Sequence, residues 1–256
     1  MNILITGGTG TLGKEIIKQL IGAAQINVIS TKAGVRFAQG VNVIEADVTD
    51  FNSLQTVVGA ADVIVHCASN PADAKRVDLD GTRNILAAIN KKQFKHFIYV
   101  SIAGVDKSQY PYYVVKREVE KIIEAEGIPF TILRATQFHD FVLYRMIKPF
   151  DNAKGLTIPA GLKFQSIDIT EVAGKVRQLV EVGPNNEIIT VGGPEILTIE
   201  EMAAVYLDMS GRADSFKTEM MPGERFDMLR SGINLCGDNR FGKITWRQYL
   251  KNNDQF

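Results

Sequence analysis

Three side chains near the middle of the chain could together transfer a proton. Tyr112 and Lys116 are four positions apart in a segment of helical periodicity, so both project from one face of a helix; Tyr113 adjoins Tyr112, and only the spacing to Lys116 favours Tyr112. A phenol with a reference pKa of about 10 is a weak acid at neutral pH, and a neighbouring ammonium group stabilises the phenolate. Ser101 ends the apolar run 96–101, where its hydroxyl could hydrogen-bond a carbonyl oxygen. The sequence therefore predicts acid–base catalysis on a carbonyl group by Ser101, Tyr112 and Lys116.

A glycine-rich turn near the N-terminus predicts a place for an anionic cofactor. Asn2–Thr6 is a short apolar run, and apolar residues recur at helical spacing after the turn, which predicts a strand followed by a helix. A turn this tight needs backbone conformations and close approaches that a Cβ atom would block. It also leaves the first amide N–H groups of the helix without partners, at the positive end of the helix dipole, where a pyrophosphate binds.

Two phosphate-binding patterns overlap in this turn. Gly8–Lys14 matches the G-x-x-x-x-G-K pattern of a P-loop, but Glu15 replaces the Ser or Thr that would hold magnesium. The spacing Gly7-x-x-Gly10-x-x-Gly13 matches the dinucleotide-binding pattern without exception. We therefore predict a bound dinucleotide, and a turn that binds no ligand is the alternative.

The end of the second predicted strand indicates which dinucleotide is bound. NAD sites usually carry an acidic residue here, which binds the ribose hydroxyls. No Asp or Glu occurs from Ser30 through Gly40, whereas Lys32 and Arg36 are present. A hydroxyl and cations suit the 2′-phosphate of NADP(H), which a carboxylate would repel. We predict that NADP(H) is preferred over NAD(H); the alternative is that the two cations only solvate a loop.

Residues after the third and fourth predicted strands complete the predicted cofactor site. Asp47 and Val48 could hold the adenine amino group, although Asp47 could equally be a turn residue. Cys67, Ala68 and Ser69 are small enough for a cofactor to lie against their backbone. The predicted cofactor-binding residues are Gly7, Thr9, Gly10, Thr11, Leu12, Gly13, Ser30, Lys32, Arg36, Asp47, Val48, Cys67, Ala68, Ser69 and Lys116.

Apolar, β-rich runs alternate with helical segments through the first half of the chain. The runs are 2–6, 27–30, 41–45, 62–67, 96–101 and 131–135, and helices are predicted at 77–91 and 110–126. This alternation predicts an α/β fold with a doubly wound parallel sheet, in which helices cover both faces. Residues 1–135 would form a Rossmann dinucleotide-binding domain. Residues 136–256, with a predicted strand at 187–191, would form a small C-terminal α+β substrate lobe packed on the carboxyl edge of the sheet.

The composition excludes several classes of partner. The 256 residues include 29 basic and 29 acidic side chains, so no net field attracts nucleic acid or an anionic membrane, and we expect a small-molecule substrate. No apolar run is long enough to span a membrane, and the first strand begins at residue 2, so we expect a cytoplasmic protein. The two cysteines are far apart in sequence and the three histidines lack metal-ligand spacing, so we expect reduced thiols and no metal site.

The motifs together resemble the short-chain dehydrogenase/reductase superfamily. The resemblance rests on Thr6–Gly13 (TGGTGTLG), Val100–Val105 (VSIAGV) and Tyr112–Lys116 (YYVVK), and the glycine spacing is similar to that of the extended and atypical branches. Ile132–Val142 (ILRATQFHDFV) and the short C-terminal lobe resemble the NmrA-like, NAD(P)H-binding atypical members. Good motifs cover residues 1–145, and the remainder is similar only in length and style.

The resemblance implies a role for each of the chemical residues. Ser101 would polarise the substrate carbonyl, Tyr112 would donate the proton, and Lys116 would tune Tyr112 and bind the nicotinamide ribose. In Val77–Leu86 (VDLDGTRNIL), Asp78 stands where extended members carry an active-site Asn. Because an ionised carboxylate accepts but cannot donate a hydrogen bond, the water relay attributed to that Asn is in doubt.

The substrate side of the site is less specified by the sequence. We predict that Asp78, Gln137 and His139 line the substrate pocket; His139 could be a second acid–base group or a structural histidine at a helix start. The leading function is an NADP(H)-dependent oxidoreductase that acts on a small carbonyl compound or a quinone. One alternative is an NmrA-like protein that senses the redox state of NADP(H) without turnover, and another is a sugar-nucleotide epimerase or dehydratase.

Overall fold

The computed structural model describes residues 1–213 and 215–253, and its largest sheet has seven strands. The strand order is β10-β6-β5-β4-β1-β2-β3, and the registered neighbours β3 to β2, β2 to β1, β1 to β4 and β4 to β5 are parallel. These strands are β1 (Asn2–Thr6), β2 (Gln25–Ser30), β3 (Val41–Glu45), β4 (Val63–His66), β5 (His96–Ile102), β6 (Phe130–Ala135) and β10 (Glu187–Val191). The predicted α/β fold with a doubly wound, Rossmann-type sheet is confirmed.

The strands are apolar on both faces because helices cover both sides of the sheet. Ile3, Leu4 and Ile5 of β1 and Phe97 of β5 are at most 1% exposed. The covering helices of this part are α1 (Thr11–Leu20), α2 (Phe51–Gly59), α3 (Gly81–Ala88), α4 (Pro111–Ala125) and α6 (Ile169–Val182). The apolar alternation of the sequence therefore locates the core strands to within one or two residues.

The helix predicted at 77–91 has a different form in the structure. A π-helix spans Lys75–Asp80, and only the following turns, α3, are α-helical. At the junction Gly81 lies against Val48, where an added Cβ would come within 2.9 Å of the valine side chain. The wider π turn brings Asp78 inside, so that it is 1% exposed.

The chain divides into two compact units. The first contains Met1–Ser101, Pro111–Arg134 and Ala173–Ile189, with the sheet core and the helices α1 to α4. The second contains Ile102–Tyr110, Ala135–Val172 and the described residues from Thr190 on. The strand predicted at 187–191 is the seventh strand of the central sheet, beside β6.

The second unit combines short strands with helices. Its strands form a two-stranded and a three-stranded sheet, and Trp246 fills its core, where the indole Nε1 donates to the Met202 carbonyl at 3.0 Å. The strands are β7 (Asp151–Asn152), β8 (Gly155–Pro159), β9 (Lys163–Phe164), β11 (Leu197–Thr198) and β12 (Lys217–Glu219). The helices of this unit are α5 (His139–Phe141), α7 (Ile199–Met209), α8 (Glu224–Arg230) and α9 (Trp246–Asn252), and it also contains a π-helix at Val142–Ile147 and a 3-10 turn at Lys148–Phe150. A second 3-10 turn, Pro71–Asp73, belongs to the first unit.

Two absences concern only the described part of the chain. None of its helices is both long enough and apolar enough to cross a membrane. None of its His, Cys, Asp and Glu side chains cluster in threes in a way that could hold a metal ion.

Candidate functional site

The glycine turn between β1 and α1 is built as the sequence predicts. Gly7 has φ +69°, and a Cβ there would come within 2.6 Å of the Ala68 nitrogen. A Cβ on Gly13 would collide with the carbonyl oxygen of Gly7, which itself accepts a hydrogen bond from the Gly10 amide at 2.9 Å. A Cβ at Gly7 or at Gly13 would therefore lie closer to backbone than side chains allow, whereas a Cβ at Gly10 would make only a tight contact of 3.2 Å with the Gly7 carbonyl oxygen.

The N-terminus of α1 fits the phosphates of a dinucleotide. Gly10 is the N-cap and supplies no side-chain cap, and Thr9, Gly10 and Thr11 are exposed. The first amides of an α-helix have no partners within the helix, so an anion at this turn would receive their N–H groups. Glu15, which conflicts with a P-loop, pairs with Lys18 at 2.9 Å.

The predicted 2′-phosphate site lies at the end of β2. Lys32 and Arg36 are exposed, and neither has an ion-pair partner within residues 1–213 and 215–253. The buried Ser30 hydroxyl accepts a hydrogen bond from the Lys32 amide at 3.0 Å, which fixes the turn that carries the lysine. Asp47 Oδ1 accepts hydrogen bonds from the Thr49 amide at 2.8 Å and the Thr49 hydroxyl at 2.9 Å, so its turn-forming interpretation is supported.

The ends of β1 and β4 are joined by a buried polar network. The Ala68 amide donates to Thr6 Oγ1 at 3.2 Å, and the Cys67 thiol donates to the Thr6 carbonyl at 2.8 Å. Burial raises the pKa of the Cys67 thiol to about 12, so this thiol is not a nucleophile. His66 bridges the hydroxyls of Thr6 at 2.6 Å and Thr82 at 2.9 Å, and burial lowers its pKa to about 3. This network fixes the backbone beside the glycine turn.

The predicted catalytic pair Tyr112 and Lys116 belongs to a four-residue cluster in the first unit. The Tyr112 hydroxyl lies 2.7 Å from the Ser69 hydroxyl, which donates to Asp78 Oδ1 at 2.6 Å. The same carboxylate oxygen lies 3.8 Å from Lys116 Nζ. Tyr112 is partly exposed, whereas Lys116 and Asp78 are 3% and 1% exposed. The phenol is therefore accessible above a buried ion pair.

Two further contacts hold Lys116 in place besides its ion pair with Asp78. Nζ donates to the Val100 carbonyl at 3.0 Å and lies 4.3 Å above the ring of Tyr99. Burial lowers the pKa of Lys116, while the carboxylates of Asp78 and Glu120 act in the opposite direction. Asp78 thus favours the charged form of the lysine.

The π turn and the loop after β4 both converge on Asp78. Its second oxygen, Oδ2, accepts from the Asn70 amide at 3.0 Å, so the carboxylate is bound through both oxygens. Ser69, which the sequence assigns to the cofactor side, is exposed and stands between Asp78 and Tyr112. The structure thus brings together Ser69, Asp78, Tyr112 and Lys116 from three separate segments.

Ser101, the third predicted catalytic residue, forms its hydrogen bond with a residue outside this cluster. Its hydroxyl donates to Glu120 Oε1 at 2.6 Å, and both residues are buried. Glu120 also binds Arg134 through two hydrogen bonds of 2.9 and 2.6 Å, and Arg117 at 2.9 Å. Glu120 was not predicted from the sequence, although it lies four positions after Lys116 and therefore on the same helical face. That spacing is the signal that could have identified it.

The remaining predicted pocket residues, Gln137 and His139, lie in the second unit. Gln137 Oε1 accepts from Asn234 Nδ2 at 3.0 Å. His139 is 0% exposed, with Nδ1 2.8 Å from the Ser166 hydroxyl and Nε2 3.1 Å from the Ile244 carbonyl. Burial lowers the pKa of His139 to about 4. These contacts favour the structural interpretation of this histidine over an acid–base role.

Comparison with known proteins agrees with this fold and turn. Residues 7–160 match a family described as NAD(P)H-binding, and the chain belongs to that family. The chain is 26% identical over 247 residues to divinyl chlorophyllide a 8-vinyl-reductase of Arabidopsis thaliana, covering 84% of this chain but only 59% of that reductase. It is 28% identical over 262 residues to the photosystem II assembly factor Ycf39 of Trieres chinensis, covering 95% of this chain and 82% of the relative.

Solved structures share the fold over nearly the whole chain. NADPH-dependent quinone oxidoreductase QOR2 of Escherichia coli, complexed with NADPH, superposes with a TM-score of 0.81 at 22% identity, covering 97% of this chain and 98% of that one. Triphenylmethane reductase of Citrobacter sp., complexed with NADP(H), gives 0.80 at 21% identity, with 98% and 99% covered. The expected membership in an NAD(P)H-binding family is confirmed by the family match, and these solved structures share the fold of the chain.

Proposed function

We propose that this chain is an NADP(H)-dependent oxidoreductase that reduces a small carbonyl compound or a quinone. The observation that carries the proposal is the cluster in which the accessible phenol of Tyr112 lies one helical turn from the buried ammonium of Lys116. A bound nicotinamide would supply the hydride. The side chains of the protein then need to supply only a proton and a positive charge that stabilises the proton donor after it has lost that proton.

The proposed roles follow from these positions. Tyr112 donates a proton to the substrate oxygen, and Lys116 stabilises the phenolate that remains. Ser101 polarises a carbonyl only if its hydroxyl leaves Glu120, so we assign the proton donation to Tyr112 without help from Ser101 in the resting arrangement. The turn Gly7–Gly13 and the start of α1 would hold the cofactor pyrophosphate.

The preference for NADP(H) is supported by charge. The exposed cations Lys32 and Arg36 follow β2, and no carboxylate occurs from Ser30 through Gly40. A ribose 2′-phosphate carries close to two negative charges, which these side chains can pair. Two of the solved structures with this fold were obtained with NADPH or NADP(H) bound.

The substrate class is supported by chemistry and by one relative. A phenol that donates one proton beside a hydride donor suits an acceptor that gains both, such as a carbonyl or a quinone. Quinone oxidoreductase 2 of Escherichia coli is 24% identical over 222 residues, covering 84% of this chain and 77% of the relative.

The test is a reduction assay with purified protein. NADPH and NADH are compared as donors against a panel of small quinones and aldehydes, with loss of the reduced cofactor as the signal. Tyr112→Phe should lower kcat at least 100-fold while NADPH affinity stays within twofold, since general acid catalysis contributes about 10²–10⁴. Tyr113→Phe, the adjacent and buried tyrosine, is the matched control and should retain most of the rate. Equal rates in the two variants would remove Tyr112 from the reaction.

A second candidate is a protein that binds the cofactor without turnover. It is favoured by the 28% identity to an assembly factor, a relative that covers 95% of this chain. This candidate predicts no reduction of any acceptor and a marked difference in affinity between NADP⁺ and NADPH by isothermal titration. Matched affinities together with turnover would support the reductase instead.

A further inference from the structure

We infer that Asp78, acting through Ser69, keeps Tyr112 protonated and so makes the site a proton donor, the form that reduction requires. The inference rests on the proposed reductase function, and it names Asp78 and Ser69 as positioning residues of that reaction. Three features carry it: the direction of the hydrogen bonds, the burial of the carboxylate, and the balance of charge around the phenol.

The hydrogen bonds from Tyr112 to Asp78 have only one consistent direction. A carboxylate has no proton to give, so the single hydroxyl proton of Ser69 points to Asp78 Oδ1 at 2.6 Å. In the Tyr112 contact of 2.7 Å, Ser69 is then the acceptor and Tyr112 the donor. A phenolate at the same place would face an oxygen with no proton to offer, so this arrangement favours the phenol.

Asp78 cannot readily turn away from this arrangement. It is 1% exposed, it lies in the π turn Lys75–Asp80, and its other oxygen accepts from the Asn70 amide at 3.0 Å. The Asp78 carboxylate, which accepts the Ser69 proton, is therefore held in position by the π turn and by the Asn70 amide.

The charges around Tyr112 act in the same direction. Lys116 is the cation that would stabilise a phenolate, and Asp78 lies 3.8 Å from it and offsets its charge. The other titratable and charged groups of this region are Tyr99, Tyr113, His66, Cys67 and Glu120. Glu120 is paired with Arg134 and Arg117. Burial keeps His66 and Cys67 neutral near neutral pH, so Asp78 is the anion that opposes Lys116 directly.

A neutral side chain at position 78 would reverse this balance. With an amide there, the positive charge of Lys116 would act on Tyr112 without compensation, and the phenol would lose its proton at lower pH. The enzyme would then offer less phenol, and its rate of reduction would fall at lower alkaline pH than in the natural protein.

The experiment compares the ionisation of Tyr112 in isosteric variants. The ultraviolet absorbance of phenolate is followed during an alkaline titration of the protein without cofactor, and the titration of the Tyr112→Phe variant of each protein is subtracted to isolate one of the seven tyrosines. Asp78→Asn should lower the midpoint by about 1 pH unit or more, and Ser69→Ala should lower it by less. Asp80→Asn, which removes an exposed carboxylate paired with Arg83, is the matched control and should leave it unchanged.

The alkaline limb of kcat/KM for reduction should move by the same amount in Asp78→Asn. A purely structural role of Asp78 would lower the rate at every pH without moving the limb. An unchanged midpoint in folded Asp78→Asn and in Ser69→Ala overturns the inference even if the protein reduces quinones. A lowered midpoint in a protein that reduces no acceptor overturns the proposed function and leaves the proton-holding role of Asp78 intact. Because Ser69 is exposed, its alanine variant provides the test if Asp78→Asn does not fold.

Discussion

At the scale of single residues, the candidate site depends on a buried pair of opposite charges. Lys116 and Asp78 are almost fully buried, and each makes further polar contacts, to the Val100 carbonyl and the Asn70 amide respectively. Such a pair adds little net stability, because both ions lose water, but removing one partner leaves the other uncompensated. The pair is therefore better explained by what it does to Tyr112 than by stability.

Lys116→Met tests this coupling, since methionine retains much of the apolar stem and removes the charge. We expect the free energy of unfolding to fall by about 3 kcal/mol, because Asp78 is left buried without a cation. Adding Asp78→Asn should restore at least half of the loss. Urea denaturation of the natural protein, both single variants and the double variant gives the coupling energy. Strictly additive effects would show that the two charges do not interact.

At the scale of elements, two features hold the site. The turn between β1 and α1 is shaped by glycines that contact backbone, and α4 is fixed one turn beyond Lys116 by Glu120, which joins Ser101 of β5 to Arg134 of β6. The glycine turn and α4 are each formed by residues close together in the sequence, so the spacing of residue types was sufficient to predict them. The π turn was not predicted, because its six residues are too few for the shift in apolar periodicity to be recognised, and the contact of Gly81 with Val48 is made between distant segments.

The cofactor turn gives a prediction at this scale. Gly13→Ala would place a Cβ against the Gly7 carbonyl and within 2.6 Å of the Gly8 Cα, so α1 must move away from the turn. We expect NADPH affinity to fall at least tenfold, since the amides of α1 would no longer converge on one anion. Gly174→Ala in α6 is the control: nothing lies within 4 Å of its added Cβ, so binding should be unchanged and stability should rise by about 0.5–1 kcal/mol. Fluorescence titration with NADPH and thermal unfolding measure both. Undiminished affinity in Gly13→Ala would exclude this turn as the phosphate site.

At the scale of the whole molecule, the sequence predicted what depends on patterns and missed what depends on contacts. The strand and helix alternation was sufficient for the fold class, because a sheet covered on both faces needs apolar runs of that kind. The role of Ser101 was drawn from its place at a strand end, and only the structure shows its hydroxyl directed to a buried glutamate. His139 had two interpretations in the sequence, and burial of the ring distinguishes them.

The three histidines give the molecule a predictable response to acid. His66, His96 and His139 are each at most 1% exposed, and burial lowers their pKa from 6.5 to about 3, 4 and 4. Between about pH 4 and 6.5 the unfolded chain therefore binds up to three protons that the folded protein does not, so unfolding takes up protons. The contribution of the neutral histidines to the free energy of unfolding is fully present above the unfolded pKa of about 6.5. It falls as the pH decreases through this window, by up to about 4 kcal/mol per pH unit if all three histidines contribute. Asp140 and Glu171, whose pKa values are raised by burial, act with the opposite sign and reduce this slope.

His96→Gln isolates one of these contributions. Glutamine does not titrate and can still hydrogen-bond the Thr131 hydroxyl, which lies 2.9 Å from His96 Nε2. The unfolding free energy is measured by urea denaturation at several acid pH values. We expect its slope against pH in His96→Gln to correspond to the uptake of about one proton fewer on unfolding than in the natural protein. Arg76→Gln, an exposed change, should leave the slope as it is. An identical slope in His96→Gln would show that this imidazole is protonated in the folded protein as well as in the unfolded chain.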